Sequence, residues 1–192
     1  MCDTSVDARH DDHVALHVAN TYFGGTFTSK FTTEIREKRG WSYGASSYLS
    51  ADRHLGTFSL RFAPSVKDAL PAIALSRDLL TELRDHGPTD EEVAFAKGYL
   101  INSHPFSIDT PTRQLNERLM SRLQGRPDSF VDDYMEQIAE VDAPAVRAAV
   151  ARHITPDRLL MTVVCTATDM SEAMRAWDAL GDDEVTTVAH DS

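Results

Sequence analysis

Apolar positions along this chain recur in two rhythms, and the change from one to the other marks its elements. Val14, Ala15, Val18, Ala19 and Tyr22 form one helical stripe, which Gly24 and Gly25 end. Thr28 or Ser29 can cap a second helix carrying Phe31 and Ile35, with Gly40 as its stop. The rhythm then shortens to two. "WSYGASSYLS" (41–50) and "LGTFSLRFA" (55–63) read as strands joined by the polar turn "ADRH". In the second strand Phe58, Leu60 and Phe62 alternate with Thr57, Ser59 and Arg61, which predicts one buried face and one wet face.

Helical spacing returns after residue 65. A helix is predicted over residues 66–86, with Pro71 early in it and Gly87-Pro88 after it. "TDEE" (89–92) is a capping box that opens a helix running to about Ser103, before His104-Pro105. Thr110-Pro111 open the next helix, whose Leu115, Leu119 and Leu123 form a stripe closed by Gly125. Asp128 can cap a helix with Val131, Tyr134 and Ile138. Asp142 can cap another with Val146, Val150 and Ile154. "RLLMTVVCT" (158–166) reads as a buried strand, and a last helix falls near residues 171–180. Helices, two strands, many helices and one strand make an α+β protein with an antiparallel or mixed sheet packed against several helices. "MCDTSVDARHDD" lacks an apolar run, so residues 1–11 are expected to be poorly ordered. A first strand there is expected to be missing or poor, and the acidic residues 181–192 are expected to fray.

Composition narrows the function classes. The 192 residues carry a formal charge of -11, which repels phosphate backbones and argues against a nucleic-acid partner. Cys2 and Cys165 make no disulfide framework or metal motif, and Cys165 ends an apolar run like a buried small hydrophobe. No apolar run approaches a membrane span. The polar first dozen residues predict no signal peptide on the chain as it stands, making the cytoplasm the default and leaving the compartment open.

His13 and His17 lie one helical turn apart and could hold a metal. A water-activating glutamate would have to stand at Val14 or Leu16, so an independent metal enzyme is a weak reading. The glycines of "FGGTFTS" (23–29) precede a helix but match no phosphate-loop pattern. They serve either a tight turn or the exposure of backbone groups to an extended peptide. In "TEIREKRGWSYGASS" (33–47) the plain reading is a solvated helix end followed by a strand that packs Tyr43. The functional reading brings Arg36 and Tyr43 together across the turn at Gly40. A guanidinium and a phenol can both donate to a carbonyl oxygen, which positions a peptide or stabilises an oxyanion.

Residues 18–47, "VANTYFGGTFTSKFTTEIREKRGWSYGASS", resemble the start of the C-terminal, non-zinc half-domain of the insulinase/pitrilysin family of zinc metallopeptidases. Asn20, Gly24-Gly25, Phe27, Ser29, Arg36-Glu37-Lys38, Gly40 and Tyr43-Gly44 carry the likeness. Asp52, Gly56, Phe58, "GPTDEEVAFAKGYL" (87–100) and "ITPDRLLMTVV" (154–164) extend it. Trp41 and Lys30 depart from the usual aliphatic and arginine.

The resemblance implies a half-domain of the mitochondrial-processing-peptidase type over residues 12–180. It also implies a partner half, in the same or another chain, that carries His-x-x-Glu-His and zinc. Arg36 and Tyr43 match the family's pair that holds the substrate backbone near the metal, and Gly24 and Gly25 are the expected peptide contacts. This chain is then expected to bind no cofactor itself and to be inactive alone. The competing expectation is a structural subunit like the core subunits of the respiratory cytochrome complex.

Overall fold

The computed structural model describes residues 1–50 and 52–166, together with 170, 173, 174, 177, 185, 186 and 188. Three strands form one antiparallel sheet in the order β1-β3-β2: β1 is Cys2–Ser5, β2 Ala45–Leu49 and β3 Gly56–Phe62. β2 and β3 pair with Ala45 opposite Phe62 and Leu49 opposite Phe58. The predicted alternation holds in β3, where Phe58 and Leu60 are buried while Arg61 is exposed. The protein is α+β, as the order of elements indicated.

Helix α1 (His13–Phe23) lies against the sheet and is covered on its other sides by α4 (Asp90–Ser107), α6 (Phe130–Glu140) and α7 (Ala143–His153). Val18 and Phe23 on α1, Val146 and Val150 on α7 and Ile138 on α6 have no exposed surface. Phe23 stacks on Phe31 with ring centroids 5.6 Å apart, which joins α1 to the short α2 (Lys30–Thr32). Burying aromatic and branched side chains of this size contributes about 1.5–3 kcal/mol each, so this cluster dominates the stability.

The helix ends follow local chemistry. The capping box is present: the Thr89 hydroxyl accepts from Glu92 N, and Thr89 N donates to the Glu92 carboxylate at 2.8 Å. Thr110 caps α5 (Pro111–Leu123) and Asp142 caps α7. Helix α3 (Val66–His86) accepts Pro71 within its first turns. Asp128 does not cap α6; Ser129 holds that place without a side-chain bond. Helix α4 runs past His104-Pro105 to Ser107.

Three other expectations are corrected. Residues 1–11 contain β1, which pairs with β3 from Cys2 opposite Ser59 to Ser5 opposite Gly56. A four-residue strand at a sheet edge carries little apolar signal, and the burial falls on Val6 and Ala8 just after it. Residues 158–166 do not form a ladder strand. Leu160 makes one antiparallel bridge to Cys2, while Val164 is 96 % exposed and Cys165 is also exposed. The β-branched run was read as buried, yet no ladder partner faces it among the described residues. Finally, the α5 stripe of Leu115, Leu119 and Leu123 points to solvent rather than into the core. The expected last helix and the acidic tail fall largely outside the described residues. Met170 and Met174 do pack against Ala69 of α3.

Deleting residues 1–5 removes the ladder to β3. It is expected to lower the unfolding free energy by about 2–4 kcal/mol, at roughly 1 kcal/mol per backbone bond. Urea denaturation checks this; an unchanged midpoint would mean that β1 adds nothing to the fold.

Candidate functional site

The site is assembled where α1 ends. Gly24 N and Gly25 N both donate to Asn20 O, at 3.0 and 2.8 Å. Ser47 N on β2 donates to Gly24 O at 2.9 Å, and the Ser47 hydroxyl donates to the Asn20 side-chain oxygen at 2.7 Å. A Cβ on Gly24 would stand 2.5 Å from Ser47 Oγ and 2.6 Å from its backbone nitrogen. Only glycine lets the helix end approach the strand this closely. A Cβ on Gly25 would meet Thr21 Cα at 2.9 Å. Both glycines therefore have a packing reason. The backbone groups of Gly24 are already engaged, whereas Gly25 is exposed.

The loop after Gly25 is held by two hydroxyls. Ser29 Oγ donates to Thr26 O at 2.7 Å. Thr32 Oγ1 lies 3.1 Å from that same carbonyl and 2.7 Å from Ala45 O on β2. This fixes Phe27, which is nonetheless 64 % exposed. Helix α2 then widens into a π turn over Thr33–Glu37, with Lys38 N bonding back to Thr33 O. Lys38 and Arg39 pair with Glu34 at 2.5 and 2.6 Å, so these two charges are locally satisfied. Gly40 ends the helix at φ +64°, a conformation that β-carbon sterics disfavour in other residues, and donates to Arg36 O. Ser42 is buried and pins the following turn: its hydroxyl donates to Gly44 O and accepts from Ala63 N.

This path brings Arg36 and Tyr43 together. The Arg36 guanidinium carbon lies 5.0 Å from the centre of the Tyr43 ring and 3.8 Å from that of Phe27. Its Nε is 3.5 Å from Glu37 Oε1, while Nη1 is buried with no hydrogen-bond partner among the described residues. A buried guanidinium N–H without an acceptor is costly and uncommon, and it marks a place where an acceptor is wanted. Tyr43 precedes β2 instead of packing in it and is 88 % exposed, with no hydrogen bond to its hydroxyl among the described residues. The plain reading of Tyr43 as a packed strand residue is thus overturned. Phe27 is the member that sequence reasoning missed as part of this group, although the aromatic inside a glycine-hydroxyl turn was visible.

The histidine pair has a different role. His13 is buried beside Arg126, whose Nη2 lies 3.2 Å from His13 Nε2 and whose Nε donates to Ala8 O. His17 Nδ1 bonds the Tyr134 hydroxyl. Burial first, then the Arg126 charge, lowers His13 to about 3 and His17 to about 4 from an ordinary 6.5. The two rings are engaged and face a guanidinium, so they do not suit a dication. A second cluster is His10, Asp12 and His153, whose ligand atoms lie within 4.8 Å of one another. Arg152 already pairs with the same Asp12 oxygen that bonds His153 Nε2 at 2.7 Å. That carboxylate serves as a tie between the start of α1 and the end of α7. A cleft of about 440 Å³ beside Tyr22, Lys30, Glu34 and Glu92 includes neither Arg36 nor Tyr43.

With this geometry in place, comparison with known proteins is direct. The family model described as the peptidase M16 inactive domain matches residues 4–100. The chain belongs to this family. The uncharacterized zinc protease SCO5738 of Streptomyces coelicolor is 32% identical over 166 residues, covering 86% of this chain and 36% of that protein. The non-peptidase homolog YmxG of Helicobacter pylori is 24% identical over 143 residues, covering 73% of this chain and 33% of that one. The crystal structure of a peptidase M16 inactive domain from Pseudomonas fluorescens superposes with a TM-score of 0.74 at 26% identity, covering 82% of this chain and 37% of that one. The chain thus spans about a third of the length of these relatives. No described helix is long and apolar enough to cross a membrane.

The two buried histidines predict acid sensitivity. Both are neutral in the folded state and titrate near 6.5 when unfolded, so the unfolded chain binds more protons below that pH. Their contribution is full above about pH 6.5. It falls as the pH drops toward 4 and then 3, by up to about 1.4 kcal/mol per histidine per pH unit. Urea midpoints between pH 7 and pH 5 are expected to fall, and less steeply in His17→Gln. A flat wild-type profile would contradict the neutral pair.

Proposed function

We propose that this chain is the peptide-gripping, non-zinc half of a zinc metalloendopeptidase, working beside a zinc site that another domain or subunit supplies. The observation that carries this is Arg36: its guanidinium carbon lies 3.8 Å from the centre of the Phe27 ring and 5.0 Å from that of the exposed Tyr43, and its buried Nη1 has no acceptor among the described residues. A peptide carbonyl is the acceptor such a pair lacks. Arg36 supplies a fixed positive charge and Tyr43 a neutral donor. Together they hold the peptide backbone and, as the carbonyl becomes tetrahedral, stabilise its developing negative oxygen. Of the two glycines, Gly25 is exposed with its N–H engaged on Asn20 O, while Gly24 is committed to the junction with β2.

Membership of the inactive-domain family supports the reading, as does the greater length of relatives called zinc proteases. The sequence has no His-x-x-Glu-His, and its histidine clusters are engaged with Arg126, Tyr134 and Arg152. Zinc in this reading is therefore held by the partner half, where it supplies Lewis-acid activation of water. The half-domain extends over residues 12–180 with β1 added at its front. A structural role without peptidase function is the second reading, favoured by the relative called a non-peptidase homolog.

The purified chain alone is expected to bind less than stoichiometric zinc and to cleave nothing. Assembled with the zinc-bearing half that co-purifies with it, Arg36→Ala or Tyr43→Phe is expected to lower turnover by about 10²–10³-fold. Cleavage by that assembly indifferent to both substitutions would overturn the role given to Arg36 and Tyr43, and an assembly that cleaves nothing would favour the structural reading instead.

A further inference from the structure

The Arg36 guanidinium does not reach its position by ionic pairing. Its nearest carboxylate, Glu37, is 3.5 Å away and more than half exposed, which leaves little net attraction. What lies against it is the Phe27 ring, at 3.8 Å from the centroid, a closer stack than Tyr43 makes at 5.0 Å. An exposed phenylalanine gains nothing from burial, yet this one is held in place through the Thr26 carbonyl, gripped by Ser29 and Thr32. That turn ties the loop to β2 through Thr32 and, in doing so, holds the ring against the guanidinium.

We infer that Phe27 is a positioning residue for Arg36. Its ring face holds the guanidinium flat, through the attraction between a cation and the negative face of the ring, and so fixes the plane in which the fork meets the peptide carbonyl. The Tyr43 ring lies 5.0 Å from the guanidinium carbon, and its hydroxyl has no hydrogen bond among the described residues. The inference rests on the proposed role of Arg36, and it assigns Phe27 no contact with the reacting atoms.

Two measurements test it. In the chain alone, the Arg36 side-chain protons are expected to show an upfield ring-current shift in NMR spectra. Phe27→Leu reduces that shift to the part that the more distant Tyr43 ring induces, and Phe27→Tyr restores it. An undiminished shift in Phe27→Leu overturns the stack. In the assembled peptidase, Phe27→Leu is expected to lower turnover on the order of tenfold, with Phe27→Tyr near wild type. In an Arg36→Ala background Phe27→Leu should change turnover less than about twofold, because the two residues act as one unit. Arg36→Ala that loses turnover while Phe27→Leu keeps it overturns this inference alone. Additive losses assign Phe27 a merely structural effect and also overturn it. Arg36→Ala that keeps turnover overturns the reading of the whole site.

Discussion

The close approach of the α1 end to β2 is the constraint on which the rest of this structure depends. One backbone bond, Ser47 N to Gly24 O, and one side-chain bond, Ser47 to Asn20, join the central helix to the sheet. The 2.5 Å clearance at Gly24 leaves no room for any side chain. Once that junction is made, the chain from Gly25 to Ala45 must cross a fixed gap and return to the same strand. Thr32 closes the circuit by reaching both Thr26 and Ala45. The loop, the wide turn and the exposed tyrosine are consequences of that closed path.

Within the path, stability and function pull in opposite directions. Lys38 and Arg39 are satisfied by Glu34, and the solvated helix end would be unremarked without Arg36. Arg36 instead keeps a buried N–H without an acceptor, a cost of about 1–3 kcal/mol if nothing ever fills it. The neighbouring aromatic rings reduce that cost without removing it. Under the proposed function a peptide carbonyl completes this bonding. The histidines show the contrary case: His13 and His17 have the spacing of metal ligands but are consumed by Arg126 and Tyr134, and their chemistry becomes a pH term in stability.

Much of this was legible in the chain. Helical spacing located α1, α3, α6 and α7, the Thr89-Glu92 box fixed the start of α4, and strict alternation fixed β3. Arg36, Gly40 and Tyr43 were legible as a group because type and spacing survive translation into space whenever a single turn separates the residues. The failures share a cause. β1 is short and at an edge, residues 158–166 are β-branched without a ladder partner among the described residues, and the α5 stripe is apolar without a core to enter. Apolar pattern reports what a segment can bury, not whether anything is there to bury it.

The sequence by itself therefore determined the α+β class and the family likeness, and it offered Arg36 and Tyr43 as a candidate pair. These depend on local periodicity and on residue types a few positions apart. Only the tertiary structure decided that Phe27 lies under Arg36, that Tyr43 stands in solvent and that Gly24 serves a junction. It also decided that the histidine pair is buried against a guanidinium. Each of these rests on contacts between segments brought together by the α1 and β2 closure, and no local pattern encodes which distant group will occupy the facing position.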